Sequence, residues 1–193
     1  RADSFNAWGR AEQQTYGNGV ANSATFDAST GRLAALTAGS GNSVLNQSYV
    51  WDSLGRMTQR NDANGDGNTG AVSDSFGYDD IGRLTSYAVS APQIPNLSRS
   101  VTLQYNALGM LLFKSDVGNY AYGTQGAGAV RPHALQRVVS PTGTTTNGYD
   151  ANGNLTTASA GKYTSLTYTS FNLPDSQTGL AGPGGTPQYA WNY

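Results

Sequence analysis

Tyr78-Asp79-Asp80-Ile81-Gly82-Arg83-Leu84-Thr85 is the stretch whose reading decides the fold. It has the chemistry of a β-hairpin tip. Asp79 suits the first position of a type I turn, where its carboxylate accepts from a backbone N–H two residues on. Gly82 suits the position that needs φ > 0, closing the turn with a G1 bulge. In that register Tyr78 faces Leu84 and Asp79 faces Arg83, so one face takes an aromatic–aliphatic pair and the other an ion pair. Extended outward, the alternation predicts Phe76, Tyr78, Leu84 and Ser86 on one face. Ser75, Gly77, Thr85 and Tyr87 then share the other.

The octet recurs along the chain. Its copies start at Phe5-Asn6-Ala7-Trp8-Gly9-Arg10, Phe26-Asp27-Ala28-Ser29-Thr30-Gly31-Arg32-Leu33 and Trp51-Asp52-Ser53-Leu54-Gly55-Arg56-Met57. After the Tyr78 copy come Tyr105-Asn106-Ala107-Leu108-Gly109-Met110-Leu111 and Tyr149-Asp150-Ala151-Asn152-Gly153-Asn154-Leu155. Phe171-Asn172-Leu173-Pro174-Asp175 reads as a degenerate copy in which Pro174 replaces the glycine device. The lead aromatics at 5, 26, 51, 78, 105, 149 and 171 give steps of 21, 25, 27, 27, 44 and 22, and 44 is twice 22. A worn copy at Tyr122-Gly123-Thr124-Gln125-Gly126 fits the long gap, and Tyr193 falls where a further copy would begin. Self-similarity at such a period marks a repeat architecture.

The pattern aromatic-Asp-x-x-Gly-Arg-Leu at these steps resembles the YD repeat of Rhs-family proteins, over nearly the whole chain. That family includes bacterial polymorphic toxins, the cocoon component of insecticidal toxin complexes, and animal teneurins. The resemblance implies an all-β fold, with tandem antiparallel hairpins in a curved strip that forms part of a hollow shell. It also implies one repeat array over residues 1–193, cut from a longer exported protein that is secreted or at the cell surface. The implied partners are the rest of the parent chain and its enclosed toxin or effector domain, with secretion machinery or cell-surface carbohydrate as further candidates.

Composition agrees with a thin sheet. Hydrophobic residues are 37% and charged residues 12%, against roughly 45–50% and about 25% in ordinary domains. Aromatic content is 10%, with 12 Tyr and 25 Gly, which fits short strands and many turns and not disorder. The net charge of −1 gives no reason to expect nucleic acid binding. No stretch approaches the roughly 18 apolar residues of a membrane helix. The absence of cysteine removes disulfides, thiolate zinc sites and cysteine nucleophiles.

Asp62-Ala63-Asn64-Gly65-Asp66-Gly67-Asn68 matches the first half of a calcium loop, which would make Asp62, Asn64 and Asp66 ligands. The second half fails, because Ser73 stands where the bidentate Glu belongs, so the expectation is a polar connector and no metal. His133, the one histidine, lacks the neighbours of a triad or a zinc site. The carboxylates Asp27, Asp52, Asp79 and Asp150 could be imagined as a glycosidase pair. Each recurs with the repeat, however, as do Arg32, Arg56 and Arg83, so all read as structural. No cofactor, catalytic residue or enzyme activity is expected. The Asp-Pro-x-Gly-Leu segment that such toxins use for self-cleavage is absent. The leading reading is a shell segment that helps to enclose a toxin or effector. The alternative is an extracellular repeat module that binds carbohydrate or a cell-surface partner through its exposed aromatics.

Overall fold

The computed structural model describes residues 1–65, 70–159, 163–179 and 190–192. Residues 66–69, 160–162, 180–189 and 193 lie outside this description, and with them the candidate ligand Asp66 and the start of a further copy at Tyr193. The chain divides into two compact units, 1–102 and 103–193.

The first unit is an antiparallel meander of β1 (Ala2–Phe5), β2 (Ala11–Thr15), β3 (Ala21–Phe26), β4 (Leu33–Ala38), β5 (Leu45–Trp51), β6 (Met57–Asp62), β7 (Val72–Tyr78), β8 (Leu84–Ser90) and the start of β9 (Arg99–Tyr105). Every strand pairs with its neighbours in sequence. In the second unit the end of β9 continues into β10 (Leu111–Lys114), β11 (Gly118–Tyr122), β12 (Leu135–Ser140), β13 (Gly143–Tyr149) and β14 (Leu155–Ala158). A separate sheet holds β15 (Tyr163–Tyr168), β16 (Pro174–Gly179) and β17 (Ala190–Asn192). The chain is all-β, as the repeat predicts. Within a meander successive turns alternate between the two ends of the strands. In the first unit the octet tips 6–10, 27–32, 52–56 and 79–83 therefore share one edge, and the irregular connectors share the other.

The tip geometry is the expected one. Asp79 N–H donates to Arg83 O at 2.9 Å and Gly82 N–H to Asp79 O at 3.0 Å, with Gly82 at φ 84°. Tyr78 pairs with Leu84. One step further the expected faces fail. Gly77 pairs with Ser86 and Phe76 with Tyr87, so Thr85 is an extra residue and Phe76 shares a pair with Tyr87, not Ser86. The same second bulge recurs. Trp51 pairs with Met57 but Val50 with Gln59, and Tyr149 pairs with Leu155 but Gly148 with Thr157. A bulge bends its strand and increases the local twist. Strict alternation cannot reveal it, because it changes pairing without changing composition.

Two further expectations need correction. The degenerate copy starts at Tyr168, not Phe171. Tyr168 pairs with Pro174, and Asn172, at φ 59°, takes the glycine position that was assigned to Pro174. The worn copy at Tyr122 is a true hairpin in pairing, with Tyr122 opposite Leu135, but its tip is expanded to 123–134.

Little of the sheet is deeply buried. Among the described residues the buried apolar side chains are Ala38, Ala91, Val101, Met110 and Ala158. Only Val101 and Met110 are of any size, so cohesion must come largely from strand pairing and from side chains that reach between hairpins. Asp74 is the buried acid, and its carboxylate is held by Arg60 on the neighbouring strand at 2.6 Å.

Candidate functional site

The recurring side chains converge on the octet tips. Asp79 Oδ1 accepts from Ile81 N–H at 3.2 Å and Arg83 N–H at 2.8 Å. Asp52 Oδ1 does the same with Leu54 and Arg56, at 3.0 and 2.9 Å. Asp150 does so with Asn152 and Asn154, at 3.0 and 2.9 Å. Where the acid is replaced, the acceptor survives: Asn6, Asn106 and Thr169 each cap the equivalent pair of amides. Each tip thus satisfies two N–H groups that would otherwise depend on water.

The second carboxylate oxygen takes the arginine. Arg56 Nε donates to Asp52 Oδ2 at 2.6 Å and Arg83 Nε to Asp79 Oδ2 at 2.7 Å. Arg32 departs from this expectation. Asp27 sits in a tip with one more residue, and its Oδ1 is taken by Ser29 and Thr30.

The arginines also bridge to the next tip. Arg56 Nη1 donates to Asp79 O at 2.9 Å and Arg32 Nη1 to Asp52 O at 3.3 Å. Arg10 Nη1 donates to Gly31 O. Two of these guanidiniums cover the next lead aromatic: Arg56 stands 5.0 Å from the Tyr78 ring centroid and Arg10 5.4 Å from that of Phe26. Each cation–π contact is worth about 0.5–1 kcal/mol at exposed sites. At the Tyr149 tip Asn154 replaces arginine and still joins its own tip to the next, donating to Asp150 Oδ2 at 2.9 Å and Asn172 Oδ1 at 3.0 Å.

The lead aromatics reach the other way. Trp51 Nε1 donates to Leu33 O at 2.7 Å and Tyr78 Oη to Met57 O at 2.8 Å. In the second unit Tyr122 Oη reaches Leu111 O, Tyr149 Oη reaches Leu135 O and Tyr168 Oη reaches Leu155 O, at 3.0, 2.7 and 3.0 Å. Every acceptor is the carbonyl of the residue paired with the preceding lead. Sequence reasoning placed these residues within their own hairpins and missed both bridges. The available signal was the repeat step itself, since Arg56 and Asp79 are one period apart.

The carboxylates are tuned for this role. Side-chain hydrogen bonds from Ser29 and then Thr30 hold Asp27 down to about 2. The Arg56 N–H lowers Asp52, and the Asn154 amide lowers Asp150. At Asp79 desolvation pushes upward but is outweighed by the Arg83 side chain and backbone.

The other candidates stand apart. Asp62 Oδ1 accepts from the N–H groups of Asn64 and Gly65, both at 3.1 Å, and Oδ2 from Gln47 Nε2 at 2.9 Å. Asn64 Nδ2 donates to Asn42 O at 2.6 Å. Asp62 therefore organises its own turn. His133 is exposed in the 123–134 tip.

No family model matches the sequence, and no curated protein does. Solved structures are similar. One is the TcdB2-TccC3-Cdc42 complex, with 13% identity, 98% of this chain covered, 10% of that chain covered and a TM-score of 0.48. Another is TcdB2-TccC3, with 12% identity, coverage of 98% and 12%, and a TM-score of 0.47. A third is TcdB2-TccC3 without its hypervariable C-terminal region, with 14% identity, coverage of 97% and 12%, and a TM-score of 0.34. The chain thus spans about a tenth of the length of the chains it matches.

Proposed function

We propose that the chain is a stretch of wall in an Rhs-type shell. The wall helps to enclose a toxin or effector domain within a longer exported protein, and the whole of 1–193 is one repeat array. The observation that carries this reading is the bridging at the tips. Arg32, Arg56 and the lead residues Trp51, Tyr78, Tyr122, Tyr149 and Tyr168 bond into an adjacent hairpin, so the recurring chemistry of the repeat joins neighbouring hairpins. In repeat architectures stability comes from such nearest-neighbour contacts. A wall needs that property and needs no reacting group.

The test is expression of residues 1–193 alone in a bacterial cytoplasm, beside the parent chain with and without this segment. The segment alone is expected to leave growth unaffected. The parent lacking it is expected to expose its cargo domain to added protease. Growth arrest by the segment alone, or a cargo equally protected in both parents, overturns the reading.

A further inference from the structure

Among the described hairpins the Tyr122 one has the tip that departs furthest from the repeat, and beside it lies a solvent-open cavity of about 500 Å³. The space has a structural origin. Arg137 on β12 is flanked across the sheet by Ala121 on β11 and Thr146 on β13, two short side chains that leave the guanidinium room. Gln136, next in sequence, would ordinarily point to the opposite face. It is the extra residue of a bulge, since Tyr122 pairs with Leu135 and Ala121 with Arg137. A bulge re-aims a side chain, and Gln136 lines the same cavity as Arg137.

The expanded tip supplies the second cation. Arg131 also lines the cavity, and its backbone has φ 55°. Among the described residues the other non-glycine positions in that region are Asn42 and Asn172, a type that tolerates it. An arginine there carries strain, which concentrates at functional sites. The tip is braced to hold it. Gln125 Nε2 donates to Gly123 O at 2.7 Å and Pro132 O at 2.5 Å, and Ala134 N–H donates to Arg131 O at 3.1 Å. A Cβ on Gly123 would stand 3.0 Å from Gln136 Nε2 and 3.4 Å from Arg131 O, so the glycine lets the loop close down on the site.

Arg56 and Arg83 are tied to acids, whereas neither guanidinium here has a hydrogen-bonding or ionic partner among the described residues. No carboxylate lines the cavity. The rings of Tyr122 and Tyr149 form part of its wall, fixed in place because both hydroxyls donate to backbone carbonyls. Asn147 adds a second carboxamide, anchored by its Nδ2 to Leu135 O at 2.9 Å.

We propose that this cavity binds an acidic peptide, with an Asp or Glu side chain engaging Arg131 and Arg137. Guanidinium forks match a carboxylate in charge and planar geometry. The carboxamide of Gln136 offers a donor and an acceptor, the complement of a peptide group. The tyrosine rings receive the aliphatic part of the ligand. The inference rests on this hairpin's geometry and does not depend on the wall reading.

The test uses the 193-residue chain and the labelled peptides acetyl-Gly-Glu-Glu-Gly-amide and acetyl-Gly-Gln-Gln-Gly-amide, titrated by NMR at about 0.15 M salt. The Glu peptide is expected to bind at least about tenfold more tightly than the Gln peptide, shifting the amides of 121–123 and 135–137. Arg131→Gln and Arg137→Gln are each expected to remove that preference, and Arg99→Gln to retain it. Ala121→Leu, which fills the cavity from a strand that stays paired, is expected to block both peptides. Equal affinity for the two peptides, a preference unchanged in Arg137→Gln, or binding of inorganic phosphate with no binding of either peptide would each overturn the proposal.

Discussion

The hairpins led by Tyr78 and Tyr122 share a pairing rule and differ in what their tips do. In both, the lead tyrosine pairs with a leucine and sends its hydroxyl to a carbonyl of the preceding hairpin. In both, an extra residue follows on the second strand. At Tyr78 the tip is short, and its acid and arginine are bound to each other. At Tyr122 the tip runs from 123 to 134, the acid is gone, and Arg131 and Arg137 face a cavity. The strand register is therefore set by the lead pair and its bulge. Turn chemistry can then vary without disturbing the sheet, and departures from the repeat are where a site can be built.

The largest effect is expected at Gly82. Its φ of 84° is a region that a β-branched residue enters only with strain, so Gly82→Val should destabilise the first unit by about 1–3 kcal/mol, read by urea denaturation. An unchanged midpoint would mean that the tip is not fixed by its glycine. Arg56→Ala comes next. It removes bonds to Asp52 and Asp79 and should cost about 2 kcal/mol, whereas Arg137→Gln should stay within about 0.5 kcal/mol. Equal costs would erase the distinction between the two kinds of arginine.

Much of this was legible in the sequence. Asp79 and Gly82 announce the tip because each suits a specific backbone conformation, and the lead aromatics set the period. The register beyond the tip was not legible, because the bulge at Thr85 depends on pairing that no composition records. The start of the last copy was misread because Phe171 looks like a lead, while the residue that pairs is Tyr168. The cavity was hidden for another reason. Arg131 lies in the expanded tip and Arg137 on β12, and nothing in their spacing announces that both line one cavity.

A smaller effect separates the lead tyrosines from their rings. Tyr78→Phe and Tyr122→Phe each lose one hydroxyl bond to a carbonyl and should cost about 1 kcal/mol, equally in the regular and the expanded hairpin. Thermal unfolding of the two variants checks this. Acid titration gives the subtlest contrast. Asp27, Asp52, Asp79 and Asp150 all have lowered pKa values in the folded chain. Their stabilisation is complete above the unfolded value of about 3.9 and is lost as pH falls, down to about 2 for Asp27. Between those limits the tips carrying acids should loosen before the 123–134 tip, which has none, as followed by tip-resolved NMR.

Hydrogen exchange on Arg56→Ala tests most directly the claim that the repeat's chemistry joins one hairpin to the next. The guanidinium bonds both to its own tip at Asp52 and to the following tip at Asp79. Faster exchange is predicted at 52–56 and also at 79–83, with 27–32 unchanged. Faster exchange confined to 52–56 would contradict the account, and would return the arginine to a role within a single hairpin.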